Sequence, residues 1–281
     1  MRTVTTIAEL REALAPARRA GRTIGLVPTM GFFHDGHLSL MRAARAAADV
    51  VVVSLFVNPT QFGEGEDLAA YPRDFERDSS LAAGAGVDVL FAPAAEEIYP
   101  AGFDVRIEVG GVSEPLEGES RPGHFAGVAT VVTKLLNIAQ PDIAWFGQKD
   151  AQQALVIRKL VRDLNLPVRV EIAPTVRERD GLAMSSRNAY LTGAERPRAA
   201  ALSRALRAAE DAVATGRLDA DAVIGAARAE LDAAGVEPEY LELRSADDLA
   251  PTARVNGNTL LAVAARVGRA RLIDNTMLGG S

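Results

Sequence analysis

The apolar and polar positions along the chain keep changing period. From Ile7 to Arg19 apolar residues recur at helical spacing with charges between them, which predicts a short surface helix. Thr23 to Val27 is a compact apolar run. Asp49 to Val57 is a longer one, so rich in β-branched residues that it predicts a central parallel strand buried on both faces. Helix-compatible sequence from Asp74 to Ala83 leads to a predicted strand at Val87 to Ala92, and Asp104 to Val109 reads as a further short strand. After a loop-like Gly118 to Gly123 come a long apolar helix, Phe125 to Ala139, a strand, Ile143 to Phe146, and a helix, Gln152 to Asn165, with the alternation running on through Pro174.

Strand and helix in alternation predict an α/β fold: a mostly parallel sheet covered by helices, with ligands at the carboxyl ends of its strands. From about Leu191 the pattern changes to alanine-, arginine- and glutamate-rich helix as far as Ala234, broken near Gly216. Strand-like segments follow at Glu239 to Arg244, Thr259 to Ala265 and Arg269 to Ile273, so a smaller α+β unit is expected there. The boundary falls between Thr175 and Ala189, and is drawn here as residues 1–178 and 179–281.

Composition narrows the function classes. The 281 residues are 48% hydrophobic and 24% charged, ample for a core and ordinary for a globular protein. A net charge of −6 supplies no global basic field, so a nucleic-acid partner is not expected. No apolar run reaches about eighteen residues and no basic-then-apolar leader opens the chain, so neither a membrane span nor a secretory signal is expected. The absence of cysteine excludes disulfides and thiolate catalysis and is compatible with a reducing cytoplasm.

The candidate chemistry gathers at strand ends. Thr23–Val27 runs into Pro28-Thr29-Met30-Gly31-Phe32-Phe33-His34-Asp35-Gly36-His37 and then a helical-looking segment, so the loop ends on a helix N-terminus. Unpaired N–H groups and the helix dipole make that an anion address, Gly31 and Gly36 permit close backbone approach, and two of the three histidines sit there. Two other readings stand beside it: an ordinary glycine-rich turn with solvated histidines, and a metal site through His-x-x-His, which has no cysteine to complete a zinc set.

Asn58 and Gln61, at the next strand end, offer amide groups suited to hydroxyls and carboxylates. Gly147-Gln148-Lys149-Asp150 places one of only three lysines, in a chain with 31 basic residues, at a helix start. A compact point charge there suits a transferred phosphoryl group. Arg121 shares a rigid turn with His124, and the Asp180–Asn188 loop brings Ser185, Ser186 and Arg187 together as a possible clamp on a triphosphate. No Gly-x-Gly-x-x-Gly follows a strand and no P-loop is present, so dinucleotide oxidoreductases and P-loop enzymes lose their main support.

Six segments in order, PTMGFFHDGH, VNPTQFG, YPRDFERD, RPGHFAGVATVVTKL, FGQKDAQQ and PTVRERDGLAMSSRN, resemble the pantoate–β-alanine ligases. The resemblance implies a Rossmann-like doubly wound sheet of the His-x-Gly-His nucleotidylyltransferase kind in residues 1–178, binding ATP and pantoate, with residues 179–281 as a lid. It implies ATP-dependent condensation of pantoate with β-alanine through pantoyl adenylate, in a Mg²⁺-dependent, cytoplasmic homodimer. By position, Met30, Gly31, Phe32, Phe33, His34, Asp35, Gly36 and His37 would line the ATP site, with Gly147, Gln148, Lys149, Asp150, Val176, Met184, Ser185, Ser186 and Arg187. His37, His34 and Lys149 would be catalytic, and Gln61, Gln153, Asn58 and Arg121 would bind substrate. Protein ligands for Mg²⁺ stay unassigned, with Asp78 and Asp150 as candidates. Phe33 stands where the family commonly has leucine, and Gln148 where it commonly has glutamate. A nucleotidylyltransferase that stops after pyrophosphate release, and a catalytically silent nucleotide binder, are the competing classes.

Overall fold

The computed structural model describes residues 1–279. In chain order its elements are β1 (Arg2–Val4), α1 (Ile7–Arg19), β2 (Ile24–Thr29), α2 (Asp35–Ala47), β3 (Val50–Leu55), α3 (Phe75–Gly84), β4 (Val89–Phe91) and α4 (Ala95–Ile98). There follow α5 (Glu117–Ser120), α6 (His124–Ala139), β5 (Ile143–Gly147), α7 (Ala151–Asp163) and β6 (Arg169–Ala173). The remainder is α8 (Arg196–Ala199), α9 (Ala201–Ala214), α10 (Ala220–Ala233), β7 (Pro238–Ser245), β8 (Thr259–Val267) and β9 (Ala270–Leu278).

The chain divides into two compact units, one of residues 1–147 and 152–174, the other of residues 148–151 and 175–281. In the first, six strands form a parallel sheet in the order β1-β4-β3-β2-β5-β6. Val51, Val52 and Val53 of β3 are fully buried, as expected for a strand covered by helices on both faces. The order reverses between β2 and β5, and the crevice at the carboxyl ends of strands flanking such a reversal is where open α/β sheets bind ligands.

Helix α1 begins on a reciprocal cap in which Thr6 accepts the Glu9 N–H and Glu9 accepts the Thr6 N–H. Helix α6 is buried around most of its circumference and lies so close to the turn at Pro59–Gln61 that a Cβ on Gly127 would sit 2.4 Å from the Thr60 carbonyl. Only glycine fits there. The segment expected as a strand at Asp104 to Val109 enters no ladder among the described residues. Burial alternates only over its second half, where Ile107 and Val109 are half-buried between exposed Arg106, Glu108 and Gly110, while Val105, at the same parity, is 60% exposed. What it lacks is a neighbouring strand: the Ile107 N–H donates to Thr130 Oγ1 of α6 at 3.0 Å instead.

In the second unit, β7-β8-β9 form an antiparallel sheet. The buried side chains of α9 and α10, among them Leu202, Leu206, Val223 and Leu231, pack in one core with Leu261, Val263 and Leu272 of the sheet. Completely burying each such side chain is worth about 1.5–3 kcal/mol.

Candidate active site

Strand β2 ends in a tight turn. Gly31 has φ +85° and Phe32 φ +51°, a left-handed conformation that costs a non-glycine residue of order 1–3 kcal/mol and clusters at functional sites. Phe33 then drives its ring completely into the core beside Val27, Leu38 and Met41. Asp78, on the first turn of α3, closes the turn from outside, accepting the Phe32 N–H at 2.6 Å and the Phe33 N–H at 2.7 Å. Arg77 donates to the Phe33 carbonyl at 2.9 Å. Burial pushes the Asp78 carboxyl up from its ordinary range, against the two backbone bonds and Arg77.

This arrangement corrects two expectations. Phe33 was expected to line the ATP site, but its ring is in the core and its N–H and C=O are both engaged. Asp78 was a candidate for Mg²⁺, but both its oxygens hold backbone.

The two histidines of the loop cap α2 reciprocally. His34 Nδ1 accepts the Gly36 N–H at 3.2 Å, His37 Nδ1 accepts the His34 N–H at 3.3 Å, and the ring centroids lie 4.1 Å apart. A neutral imidazole that accepts at Nδ1 carries its proton on Nε2. Both rings are thereby set as Nε2–H donors at a helix N-terminus, the polarity a phosphate requires. Asp35 occupies the first turn of α2.

The second loop meets the first through Gln61, whose Nε2 donates to Met30 Sδ at 3.0 Å. Behind Gln61 stands a polar network. Asn58 donates from Nδ2 to Gln61 Oε1 and to the Gly127 carbonyl at 3.1 and 3.2 Å, and its Oδ1 accepts Tyr99 O–H at 2.8 Å and Thr60 O–H at 3.0 Å. Arg121 forks onto Glu66 at 2.8 and 2.7 Å and donates to His124 Nε2 at 3.1 Å. His124 Nδ1–H donates in turn to the Gln61 carbonyl at 2.8 Å, the opposite tautomer to the other two rings. Burial, then the Arg121 charge, push the His124 imidazole down to about 4. Burial raises the Glu66 carboxyl, but the Arg121 bond and charge outweigh it and hold the group below its ordinary range. Asn58, expected to bind substrate, donates to Gln61 Oε1 and the Gly127 carbonyl, and Arg121, expected likewise, is forked onto Glu66 with a further N–H donating to the Gln61 carbonyl at 3.3 Å.

Gln152, adjacent to the expected Gln153, is buried and ties the Val112–Glu117 loop to α7 by accepting the Glu117 N–H and donating to the Val112 and Pro115 carbonyls. Tyr99, Glu66 and Gln152 escaped the sequence reading because nothing in their local pattern marks them; their partners are 35 to 55 residues away.

The second unit carries the remaining candidates. Lys149 Nζ lies 3.4 Å from Asp150 Oδ1, and Asn275 of β9 donates to the carbonyls of both Gln148 and Lys149 at 2.9 Å while accepting Gln148 Nε2–H at 3.0 Å. Asn275 thus fixes the lysine's backbone from 126 residues away, a role with no sequence signature. The Asp180 loop is a small hairpin: the Met184 N–H donates to the Val176 carbonyl at 2.9 Å, Ser185 caps the turn Ser186–Tyr190, and Arg177 forks onto buried Asp274 at 2.5 and 3.0 Å. Among the described residues no group of three or more His, Asp or Glu side chains is gathered as a metal cage.

A family model described as pantoate-beta-alanine ligase matches residues 2–277. The chain belongs to the pantoate–β-alanine ligase family. Within it, the chain is 56% identical over 279 residues to the pantothenate synthetase of Moorella thermoacetica, covering 99% of each. It is 54% identical over 282 residues to pantothenate synthetase 1 of Bradyrhizobium diazoefficiens, covering 100% of this chain and 99% of that one. The solved pantothenate synthetase of Thermus thermophilus superposes with a TM-score of 0.95 at 48% identity, covering 99% of both chains. The pantoate-beta-alanine ligase of Francisella tularensis, solved with a β,γ-ATP compound and β-alanine, superposes with a TM-score of 0.83 at 35% identity, covering 99% and 97%. Membership in the ligase family is thus matched by the fold as well as by the sequence.

Proposed function

We infer that the protein catalyses the ATP-dependent condensation of pantoate with β-alanine to pantothenate, AMP and pyrophosphate. The observation that carries this reading is the pair of histidines capping α2, at the switch point of a fold shared with the pantoate–β-alanine ligases. A pantoate carboxylate oxygen attacks the α-phosphorus of ATP, the bond to the bridging oxygen breaks, and pyrophosphate leaves. The amine of β-alanine then attacks the acyl carbon of pantoyl adenylate, losing a proton as AMP departs.

Neither step needs a protein nucleophile; the difficulty is bringing anions together and stabilising charge on phosphate. His37 and His34 present Nε2–H donors to the phosphate oxygens, and Lys149 adds a point charge. Gln61 and Gln153 hold pantoate, with Gln61 also near β-alanine. Met30, Gly31, Phe32, Asp35 and Gly36 line the nucleotide with Gly147, Gln148, Asp150, Val176, Met184, Ser185, Ser186 and Arg187. Bound with ATP, Mg²⁺ would supply charge neutralisation to the phosphates; among the described residues no group of three or more His, Asp or Glu side chains is gathered as a metal cage, and Asp150, half-exposed beside Lys149, is the candidate carboxylate that would hold it. Residues 179–281 act as a lid that excludes water from the adenylate, and Asn275 holds the Lys149 carbonyl.

The working form is a cytoplasmic homodimer. No described helix is long and apolar enough to cross a membrane, and unpaired segment 104–110 supports self-association. Paired antiparallel with its own copy about Ile107, it sets Arg106 of one copy against Glu108 of the other, and Val105 against Val109.

The test is pyrophosphate release from ATP and Mg²⁺ with pantoate alone and then with β-alanine. Pantoate-dependent release, sustained by β-alanine with pantothenate and AMP accumulating, is the expected result. Release that β-alanine leaves unchanged would indicate a nucleotidylyltransferase, and ATP binding without release a silent binder.

A further inference from the structure

Asp78 is one of few fully buried carboxylates, 1% exposed, and the reaction steps above assign it no part. Its two oxygens separately take the consecutive N–H groups of Phe32 and Phe33, 46 and 45 residues earlier in the chain. Those N–H groups lie in and just after the turn in which Gly31 and Phe32 are left-handed, and consecutive N–H groups presented in such a turn form a concavity that attracts anions. In this protein the concavity already holds an anion, and it is the protein's own.

We propose that Asp78 is a positioning residue for phosphoryl chemistry: its carboxylate fills the anion-binding turn after β2, locks Phe32 left-handed, and so directs the nucleotide phosphates to the histidine-capped N-terminus of α2. Three neighbouring facts support it. Asp78 Oδ2 would lie 3.1 Å from a Cβ on residue 31, so the carboxylate and Gly31 are fitted to each other. Arg77, the preceding residue, bonds the Phe33 carbonyl and places its guanidinium 5.2 Å over the Phe32 ring, so one helical turn grips the loop from three sides. Phe33, whose N–H is bound, is followed directly by His34, the cap of α2. A shift of the turn is therefore a shift of both imidazoles. The carboxylate charge also closes the wrong site, because phosphate cannot enter an anion-lined turn without repulsion.

The proposal rests on the ligase reading, and the experiment separates the two. Wild type, Asp78→Asn and Asp74→Ala are compared for pantoate-dependent pyrophosphate release, thermal stability, the KM for β-alanine and the Mg²⁺ concentration giving half-maximal rate. Asparagine keeps the shape of Asp78 but turns an amide N–H toward a backbone N–H. Asp74 caps the same helix through the Arg77 N–H without touching the turn, so it reports simple loosening of α3. The expected result is a fall in kcat of about tenfold or more for Asp78→Asn, with the KM for β-alanine and the Mg²⁺ requirement unchanged, while Asp74→Ala lowers stability and keeps kcat. In the wild type, the Phe32 and Phe33 amides are expected to exchange hydrogen slowly, a readout independent of whether any variant folds. A kcat for Asp78→Asn within twofold of wild type, an equal loss in Asp74→Ala, a raised Mg²⁺ requirement that marks Asp78 as a metal ligand, or fast exchange at both amides would each overturn it. A wild type that releases no pyrophosphate would instead overturn the ligase reading, and this role with it.

Discussion

His37 accepts a backbone N–H at Nδ1, so its Nε2 is committed as a donor by the loop itself. Removing that donor is expected to lower turnover by roughly a hundredfold or more in His37→Ala, with the fold intact by circular dichroism. Near-normal turnover in a folded variant would sink the role. Lys149→Ala is expected to be similarly damaging, and Lys149→Arg to fail as a rescue, since a planar fork does not replace a point charge. Full activity with arginine would remove the geometric half of that claim. His124 acts on stability. Its imidazole is held near 4 against an ordinary 6.5, so the native state favours the neutral ring. That contribution is fully present above pH 6.5 and is lost as pH falls toward 4, a change of about 3 kcal/mol. His124→Asn, which keeps a donor near the Nδ1 position, should unfold with a visibly flatter acid limb over that range in denaturant titrations. An unchanged limb would assign the acid sensitivity elsewhere. At this scale the loops expected to carry the chemistry were legible, because histidine and lysine are scarce in this chain and two of three histidines and one of three lysines fall just after strands β2 and β5. The groups that hold them, Asp78, Tyr99, Glu66 and Asn275, were not, because each is an ordinary polar residue whose meaning is a contact across 41 to 126 residues of sequence.

Elements were legible wherever burial imposes a period. Helix α1 runs from Ile7 to Arg19, as its charge spacing predicts, because apolar positions at 10, 14 and 17 leave it one way to face the sheet. Strand β9 runs five residues beyond the expected end at Ile273, to Leu278; the polar stretch Asp274-Asn275-Thr276 looks loop-like, yet Asp274 and Asn275 are buried, one answering Arg177 and the other the Gln148 turn. The segment 104–110 shows the converse: alternation in the sequence predicts a strand and says nothing of whether this chain supplies its neighbour. Reversing one charge tests the pairing. Arg106→Glu should set like charges opposite each other and weaken self-association by about tenfold or more at low salt, and adding Glu108→Arg should restore it, as read by light scattering after size exclusion. A wild type that is monomeric, or a dimer indifferent to the reversal, would exclude this edge.

The architecture of the whole molecule was legible as a class, since alternating strands and helices followed by helices and an antiparallel sheet admit few arrangements. The boundary was not legible as a point, and the reason is that no single point exists. The chain leaves the first unit after Gly147, spends four residues in the second, returns at Gln152, and leaves again after Pro174. Lys149 is therefore translated with one unit and packed with the other, its carbonyl waiting for an asparagine made 126 residues later. During synthesis the first unit can fold as it emerges, yet the lysine turn reaches its final shape only once the last strand has left the ribosome. A piece cut at residue 178 would keep every histidine and still lack the grip on its lysine. Hybrids with relatives would have to exchange residues 148–151 together with β9, so these two stretches are expected to behave as one inheritable part.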